Sequence, residues 1–373
     1  MPARPRYRRA AVNDDQSRPV RILLTGAGGS AAENVLDALR MAPGRYHVVG
    51  ADVSPVKLHL SSATERFVLP RADDDRYLEA VCAAVQEFRI DVVHAQPDVE
   101  VRALAAARDR IGAATLLPSL DAITKAGDKA VFARAMQEAG VAVPDTEWLG
   151  PRDDISDVVA RLRQRHERVW VRARVGAGSR ASLPVSTPEQ AAAWVDWWVS
   201  EKGMGPGDFM ASEMLPGREF AYQSIWQSGR LVAGQARERL EYLYGFLSPS
   251  GQSSTPAVAR TVREPAIDEL AQKAILALDQ APSGVYCVDI KEASDGAPKV
   301  TEINCGRFFT TSNFFATAGL NMPDMAMRAA TGETLPALGS SPLEAGLHWI
   351  RMVDMGYRLV VEAELDAWIR LPR

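Results

Sequence analysis

An α/β domain built on a parallel sheet, followed by two α+β lobes, is the architecture that this sequence predicts. Two observations carry the expectation. From Arg21 onward short apolar runs alternate with helical patterns: RILLTG, AAENVLDALRMA, YHVVGAD, RFVLP, a helix from about Asp75, and DVVHAQ. That alternation indicates βαβ units and a parallel sheet. From Ser119 the pattern changes. The helix DKAVFARAMQEAG closes on Gly140 as C-cap and leads into Val143-Pro144, a stop followed by an extended link. The strand VWVRA, the loop RVGAGSRAS and the Trp-rich helix PEQAAAWVDWWVSEK come next. Trp194, Trp197 and Trp198 on that helix read as core anchors. Beyond GMGPGD, strand-like alternation runs through FMASEMLPGREFAYQSIW and GRLVAGQARERL. The helix EPAIDELAQKAILALD and the strands GVYCVDIKEA and PKVTEINC complete the pattern, and the tail from about Thr331 is a mixed segment.

Length and composition narrow the function. A chain of 373 residues has room for two or three domains. Charged residues are 24% of it and the net charge of -4 is spread along it, without the basic stripe of a nucleic-acid binder. Arg4, Arg6, Arg8, Arg9 and Arg18 stand among Pro and small polar residues, which reads as a disordered arm over 1–19. Asp14, Asp15 and the lack of an apolar stretch argue against a targeting peptide. No run reaches the length of a membrane span. Cys82, Cys287 and Cys305 lack CxxC spacing, as suits reduced thiols in a cytoplasmic enzyme. His47, His59, His94, His166 and His348 never fall at metal-ligand spacing.

Gly26-Ala27-Gly28-Gly29-Ser30-Ala31 follows a strand and opens a helix, and Asp52 ends the second strand. By itself this fits a dinucleotide-binding turn and an NAD-dependent oxidoreductase. It fits equally a glycine turn that only lets the strand meet the helix, and no hydride-transfer group is evident.

Four later signals carry more chemistry. They are Asp128-Lys129 at a helix start; Arg172 running into Gly176, Gly178, Ser179 and Arg180; Ser212-Glu213-Met214-Leu215-Pro216-Gly217-Arg218-Glu219; and Asp289 with Glu302 thirteen residues on, then Ile303-Asn304. Singly, Lys129 reads as a solvated helix residue, the glycine loop as a hairpin and LPG as a turn. Acids facing inward from neighbouring apolar strands are costly without a cation between them. Asp289, Glu302 and the Asn304 amide suit magnesium, which keeps part of its shell for water and phosphates. The Gly/Ser loop can close over phosphates that Lys129 and Arg172 neutralise. Main-chain groups of Glu213, Met214 and Leu215 can meet adenine, and Glu219 can accept from ribose hydroxyls.

In that order the motifs resemble the ATP-grasp superfamily, nearest its carbamoyl-phosphate-synthase-like carboxylate-amine ligases, from about Gly26 to Met327. The resemblance implies a Rossmann-like pre-ATP-grasp domain over 20–120 and a two-lobed ATP-grasp fold. Its lid subdomain would span 121–205, its metal-bearing subdomain 206–330, and a C-terminal extension over 331–373 would pack on the core. It also implies ATP, two magnesium ions with manganese as a substitute, and small-molecule carboxylate and amine substrates. A homodimer is common in the family. The expected chemistry is an acyl phosphate captured by an amine, with release of ADP and phosphate, in small-molecule or natural-product metabolism. Phosphorylation of bicarbonate or carbamate is the rival within the class, and a non-catalytic nucleotide module the rival outside it.

Departures from the family pattern are visible. The usual Lys-Pro is Arg172-Ala173, a planar fork in place of a point charge. The usual N-P-R is Asn304-Cys305-Gly306-Arg307, one residue longer. Cys287 stands where ligases acting on D-alanine carry arginine. Catalysis would fall to Arg172, Arg307 and Arg239, with Arg237 as a further anion contact or, with Arg239, part of a solvated strand edge. Cys305 reads as a packing residue. The substrate pocket is expected beside Gln96, Asp98, Glu100 and Arg307.

Overall fold

A computed structural model describes residues 18–148, 154–176, 181–251, 255–353 and 355–362. Most of the expected arm, residues 1–17, together with Gly178 and Ser179, lies outside them.

The first four strands, β1 (Val20–Thr25), β2 (Tyr46–Asp52), β3 (Glu65–Val68) and β4 (Val92–Ala95), form a parallel sheet in the order β3-β2-β1-β4. The apolar runs of β1, β2 and β4 are buried, as sheets covered by crossover helices require, while β3 is a half-exposed edge. The glycine turn after β1 is closed by protein. Gly28 N–H donates to the Asp52 carboxylate at 2.9 Å, and a Cβ on Gly28 would stand 2.6 Å from Lys57 Cβ. Gly26 holds φ +67° against Pro97. Asp52 thus caps the loop internally, and the oxidoreductase reading loses its acid.

Four strands build a small sheet: β5 (Thr146–Trp148), β6 (Val169–Ala173), β7 (Leu183–Val185) and β8 (Phe209–Glu213), in the order β5-β8-β6-β7. It runs to Glu213, past the expected lid boundary at 205. Helices Ile155–Arg163 and Pro188–Lys202 cover it. Trp194 and Trp198 pack against its core, whereas Trp197 is exposed and stacks on Trp194 with ring centroids 6.0 Å apart.

The large sheet takes in β9 (Glu219–Gln227), β10 (Arg230–Tyr242), β11 (Pro256–Thr261), β12 (Gly284–Glu292), β13 (Pro298–Cys305), β14 (Gly339–Ser340), β15 (Leu347–Met352) and β16 (Gly356–Val361). Its order is β13-β12-β9-β10-β11-β15-β16, with β14 beside β10. The stretch expected to alternate in strand fashion divides at Pro216-Gly217, sending β8 to one sheet and β9 to the other. Part of the tail extends the large sheet as the β15–β16 hairpin, docked on β11 and anchored by buried Trp349.

One face of this sheet carries Phe220, Tyr222, Ala236, Val288, Ile290, Val300 and Ile303, and packs on helix Pro265–Leu278. The same core continues into Leu23 and Val93 of the N-terminal sheet and Val101 of the helix Asp98–Ala106.

His94 on β4 is buried beside the Phe308 ring, and burial pushes its imidazole down to about 4. The unfolded chain takes up this proton near pH 6.5, so His94 costs nothing above that pH. Between about 6.5 and 4 it costs about 1.4 kcal/mol of stability per pH unit. Chemical denaturation against pH should show that slope reduced in His94→Gln.

Candidate active site

Strand register builds the site. Arg237 of β10 faces Ala221 of β9, Ala221 faces Asp289 of β12, and Asp289 faces Glu302 of β13. The next row reads Arg239, Glu219, Lys291 and Lys299. Successive side chains on a strand alternate faces, so these rows share the side opposite the helix-covered core. Ile225, Val285 and Cys287 on that face belong to a second apolar core, so the ionic rows occupy one end of it and need a polar occupant between them and the next layer. The small sheet is that layer. Between the two lies a cleft of about 510 Å³, lined by Gln96, Asp98, Lys129, Arg172, Glu302 and Arg307 among others.

The two acids are shifted in opposite directions. Asp289 Oδ1 accepts from Arg239 Nη2 at 2.5 Å and Oδ2 from Asn304 Nδ2 at 3.2 Å. Burial nevertheless raises its pKa, and the charges of Glu302 and Glu219 add to that. Burial also pushes Glu302 up, but Lys129, Arg172 and Arg307 outweigh it and hold the carboxyl below its usual range. Lys129 Nζ and Arg172 Nη1 lie 3.8 and 3.7 Å from Glu302 Oε2.

Lys129 begins the helix Lys129–Glu138, capped by Asp128, whose carboxylate accepts from the N–H groups of Ala130 and Val131. Its Nζ donates to the Gly176 carbonyl at 2.6 Å, tying the base of the glycine loop to that helix. Arg174 pairs with Asp128 at 2.5 Å and stacks over Trp148, 4.6 Å from the ring centre. Arg172 donates to the Thr301 carbonyl at 3.2 Å, and its Nε has no acceptor.

Glu219 and Arg239 pair at 3.0 Å, Lys291 approaches Glu219 at 3.5 Å, and the Tyr242 hydroxyl donates to Glu219. Glu213, Met214 and Leu215 line the cleft at the crossing from β8 towards β9. The Glu213 carboxylate is engaged by Lys299 at 2.5 Å, and the Met214 N–H is spent on the Arg168 carbonyl at 3.1 Å. Adenine recognition at this crossing therefore cannot use the Met214 amide donor.

Arg307 reaches across to the N-terminal sheet, pairing with Asp98 and donating from Nη2 to Asn304 Oδ1 at 2.5 Å. Asn304 is thus a brace between Asp289 and Arg307 here. Gln96 and Asp98 line the cleft. Glu100 does not: it is buried at 3.2 Å from the Tyr77 hydroxyl. Cys305 is buried, and burial raises its thiol pKa, as a packing role requires.

Sequence reasoning missed Lys291, Tyr242 and Phe309 as cleft residues. The period-two pattern on either side of Asp289 could have found Lys291. Among the described residues, no three His, Cys, Asp or Glu side chains are grouped to hold a metal ion. Two facing carboxylates plus an amide are still the sparse oxygen set that magnesium takes when phosphates and water complete its shell.

No protein-family model and no curated protein matches the chain. Solved structures do. The L-amino acid ligase from Bacillus licheniformis is 14% identical, with TM-score 0.66 over 90% of this chain and 79% of that one. Biotin carboxylase from Campylobacter jejuni is 16% identical, with TM-score 0.67 over 88% and 74%. N5-carboxyaminoimidazole synthetase from Staphylococcus aureus, complexed with ADP, is 15% identical, with TM-score 0.68 over 90% and 82%. The chain has the fold of these proteins, a mixed α/β architecture with several sheets.

Proposed function

We propose that the chain is an ATP-grasp ligase that phosphorylates a small-molecule carboxylate and joins the acyl group to an amine, releasing ADP and phosphate. The observation that carries this reading is the cross-strand pairing of Asp289 with Glu302 in a cleft where Lys129, Arg172 and Arg307 converge. Facing acids ringed by cations suit a metal-bound polyphosphate. The solved structures are named as a ligase, a carboxylase, a synthetase and a synthase, and some were crystallised with ATP or ADP.

In this reading the N-terminal sheet is a Rossmann-like pre-ATP-grasp domain, the small sheet the lid, and the large sheet the metal-bearing lobe. Magnesium, as one ion or two and replaceable by manganese, would be held by Asp289 and Glu302, with Asn304 as third donor once its oxygen leaves Arg307. It supplies charge neutralisation for phosphoryl transfer. Lys129 and Arg172 bind the phosphates, with Gly176, Gly178 and Ser179 as the covering loop. Main-chain groups at Glu213 to Leu215, apart from the Met214 N–H, meet adenine. Glu219 accepts from ribose. Arg307 and Arg239 counter the charge that develops as the carboxylate attacks, and an amine then displaces phosphate. These groups act by position and charge, the main resources for phosphoryl transfer.

The substrate carboxylate enters between the N-terminal sheet and the hairpin, past Gln96 and Asp98. Bicarbonate is included among the candidates because a solved relative was crystallised with that anion. The test is ADP release by the full chain with magnesium and ATP, against amino acids, other carboxylates and bicarbonate, each with and without an amine. Release that needs both a carboxylate and an amine is the expected result. Release with bicarbonate alone indicates carboxyphosphate chemistry, and no ADP with any pair overturns the reading.

A further inference from the structure

We propose that Arg237 anchors a substrate carboxylate other than the one that is phosphorylated, so that the ligase's substrates include a dicarboxylate or an amino acid. The inference rests on the ligase reading above for the nature of the ligand. The anion site itself is argued from geometry.

Arg237 is fully buried, on the same row as Asp289 and Glu302. Two strands, or about 10 Å, separate it from Asp289. Its neighbour on the same face, Arg239, holds Glu219 and Asp289. Arg237 has no carboxylate within 4 Å among the described residues. Its Nη1 donates to the Thr311 carbonyl at 3.3 Å, and its Nε has no acceptor among the described residues. Burial lowers its pKa to about 9, with Arg239 and Arg351 adding to that; the more distant Asp289 carboxylate, already held by Arg239, only partly opposes it. Cys287 is no counter-charge, because burial pushes its thiol up to about 12.

A buried guanidinium left in this state is costly, because a charge taken out of water needs an opposite charge or full hydrogen bonding. Two phenyl faces, Phe309 at 5.0 Å and Phe315 at 5.4 Å, offset part of that cost. They do not give Nε an acceptor. In the segment whose Thr311 carbonyl Arg237 reaches, Thr311 Oγ1 and Ser312 Oγ are also buried without hydrogen-bond partners among the described residues. A guanidinium N–H without an acceptor is complementary to a carboxylate, which has lone pairs and no proton to give. Access is short. Phe309 and Thr310 line the cleft, and the Phe309 ring lies against both Arg237 and Arg239. A substrate whose reacting carboxylate lies at Asp289 would reach Arg237 by displacing one phenyl ring.

The test uses the full chain loaded with magnesium and ADP, so that phosphates occupy the cations at Lys129 and Arg172. Succinate and its monoamide, succinamate, are titrated by calorimetry and by thermal shift. Wild type should bind succinate more tightly than succinamate, and Arg237→Met should weaken succinate about ten- to a hundredfold while leaving succinamate unchanged. Without ligand, Arg237→Met should melt at or above the wild-type temperature, because an uncompensated buried charge has been removed. A structural arginine would do the reverse. Should Arg237→Met fail to fold, Arg237→Lys keeps the charge but loses the fork, and should weaken succinate about tenfold. Succinate binding that is unaffected by both substitutions, or no preference for succinate over succinamate in wild type, overturns the proposal. None of these readouts needs ligase turnover, so failure of the anion site and failure of the ligase reading are separable.

Discussion

Replacing Glu302 with glutamine should reduce ADP formation by about 10²- to 10³-fold, the range for removing one group that stabilises transition-state charge. The substitution keeps shape and hydrogen bonding and removes one negative charge. Lys129 and Arg172, 3.8 and 3.7 Å away, then face each other's charge without the carboxylate that separates them. The nucleotide's own phosphates can replace that counter-charge, so nucleotide affinity should change much less than turnover. Magnesium dependence should move strongly, with half-saturation at higher metal concentration. Steady-state kinetics at varied magnesium, with calorimetric binding of ADP, separates these effects. Full turnover in the variant would remove Glu302 from the metal site.

Arg239→Met should be the most destabilising single change in the cleft. Arg239 is almost buried and bridges Glu219 at 3.0 Å and Asp289 at 2.5 Å. Breaking a buried pair by removing one partner strands the other, at about 3–5 kcal/mol. Here two carboxylates are stranded, and Asp289 already has a raised pKa from burial. Lys291, 3.5 Å from Glu219, can recover part of the loss on that side only. A fall of roughly 6–20 °C in melting temperature is expected, at about 2–4 °C per kcal/mol. Magnesium with ATP should restore some of it, by supplying the positive charge that Asp289 has lost. A melting temperature within two or so degrees of wild type would mean that Arg239 is not the counter-ion of these acids.

The parts of the fold that read directly from the chain are those whose information is local. The parallel sheet is visible because each strand is a short apolar run with its helix next to it. Helices Lys129–Glu138 and Pro265–Leu278 carry their own starts and stops. What did not read is non-local. Leu215-Pro216-Gly217 reads as a turn, but a turn between two strands fits a hairpin within one sheet as well as a crossing between two, so the pattern does not say that β8 and β9 belong to different sheets. The β15–β16 hairpin pairs with β11 some ninety residues earlier, and its own composition does not announce a partner. Within the cleft, acids and basic residues were legible as chemical types. Which of them share a row depended on register, and the bulge between Asp289 and Ile290 brings Lys299 into line with Lys291. Arg237 and Arg239 are equivalent in sequence. They part only because Glu219 stands opposite one and Ala221 opposite the other.

The bond between Arg307 and Asp98 spans 209 positions of the chain. Most of the polypeptide must therefore leave the ribosome before the cleft can close, and a nascent chain that stops short of the β12–β13 hairpin has the small sheet but lacks the opposite wall. Contacts of such long range slow folding more than they weaken the final state, since loop closure grows only logarithmically with length while the search does not. The early sheet must stay compact while it waits for its partner.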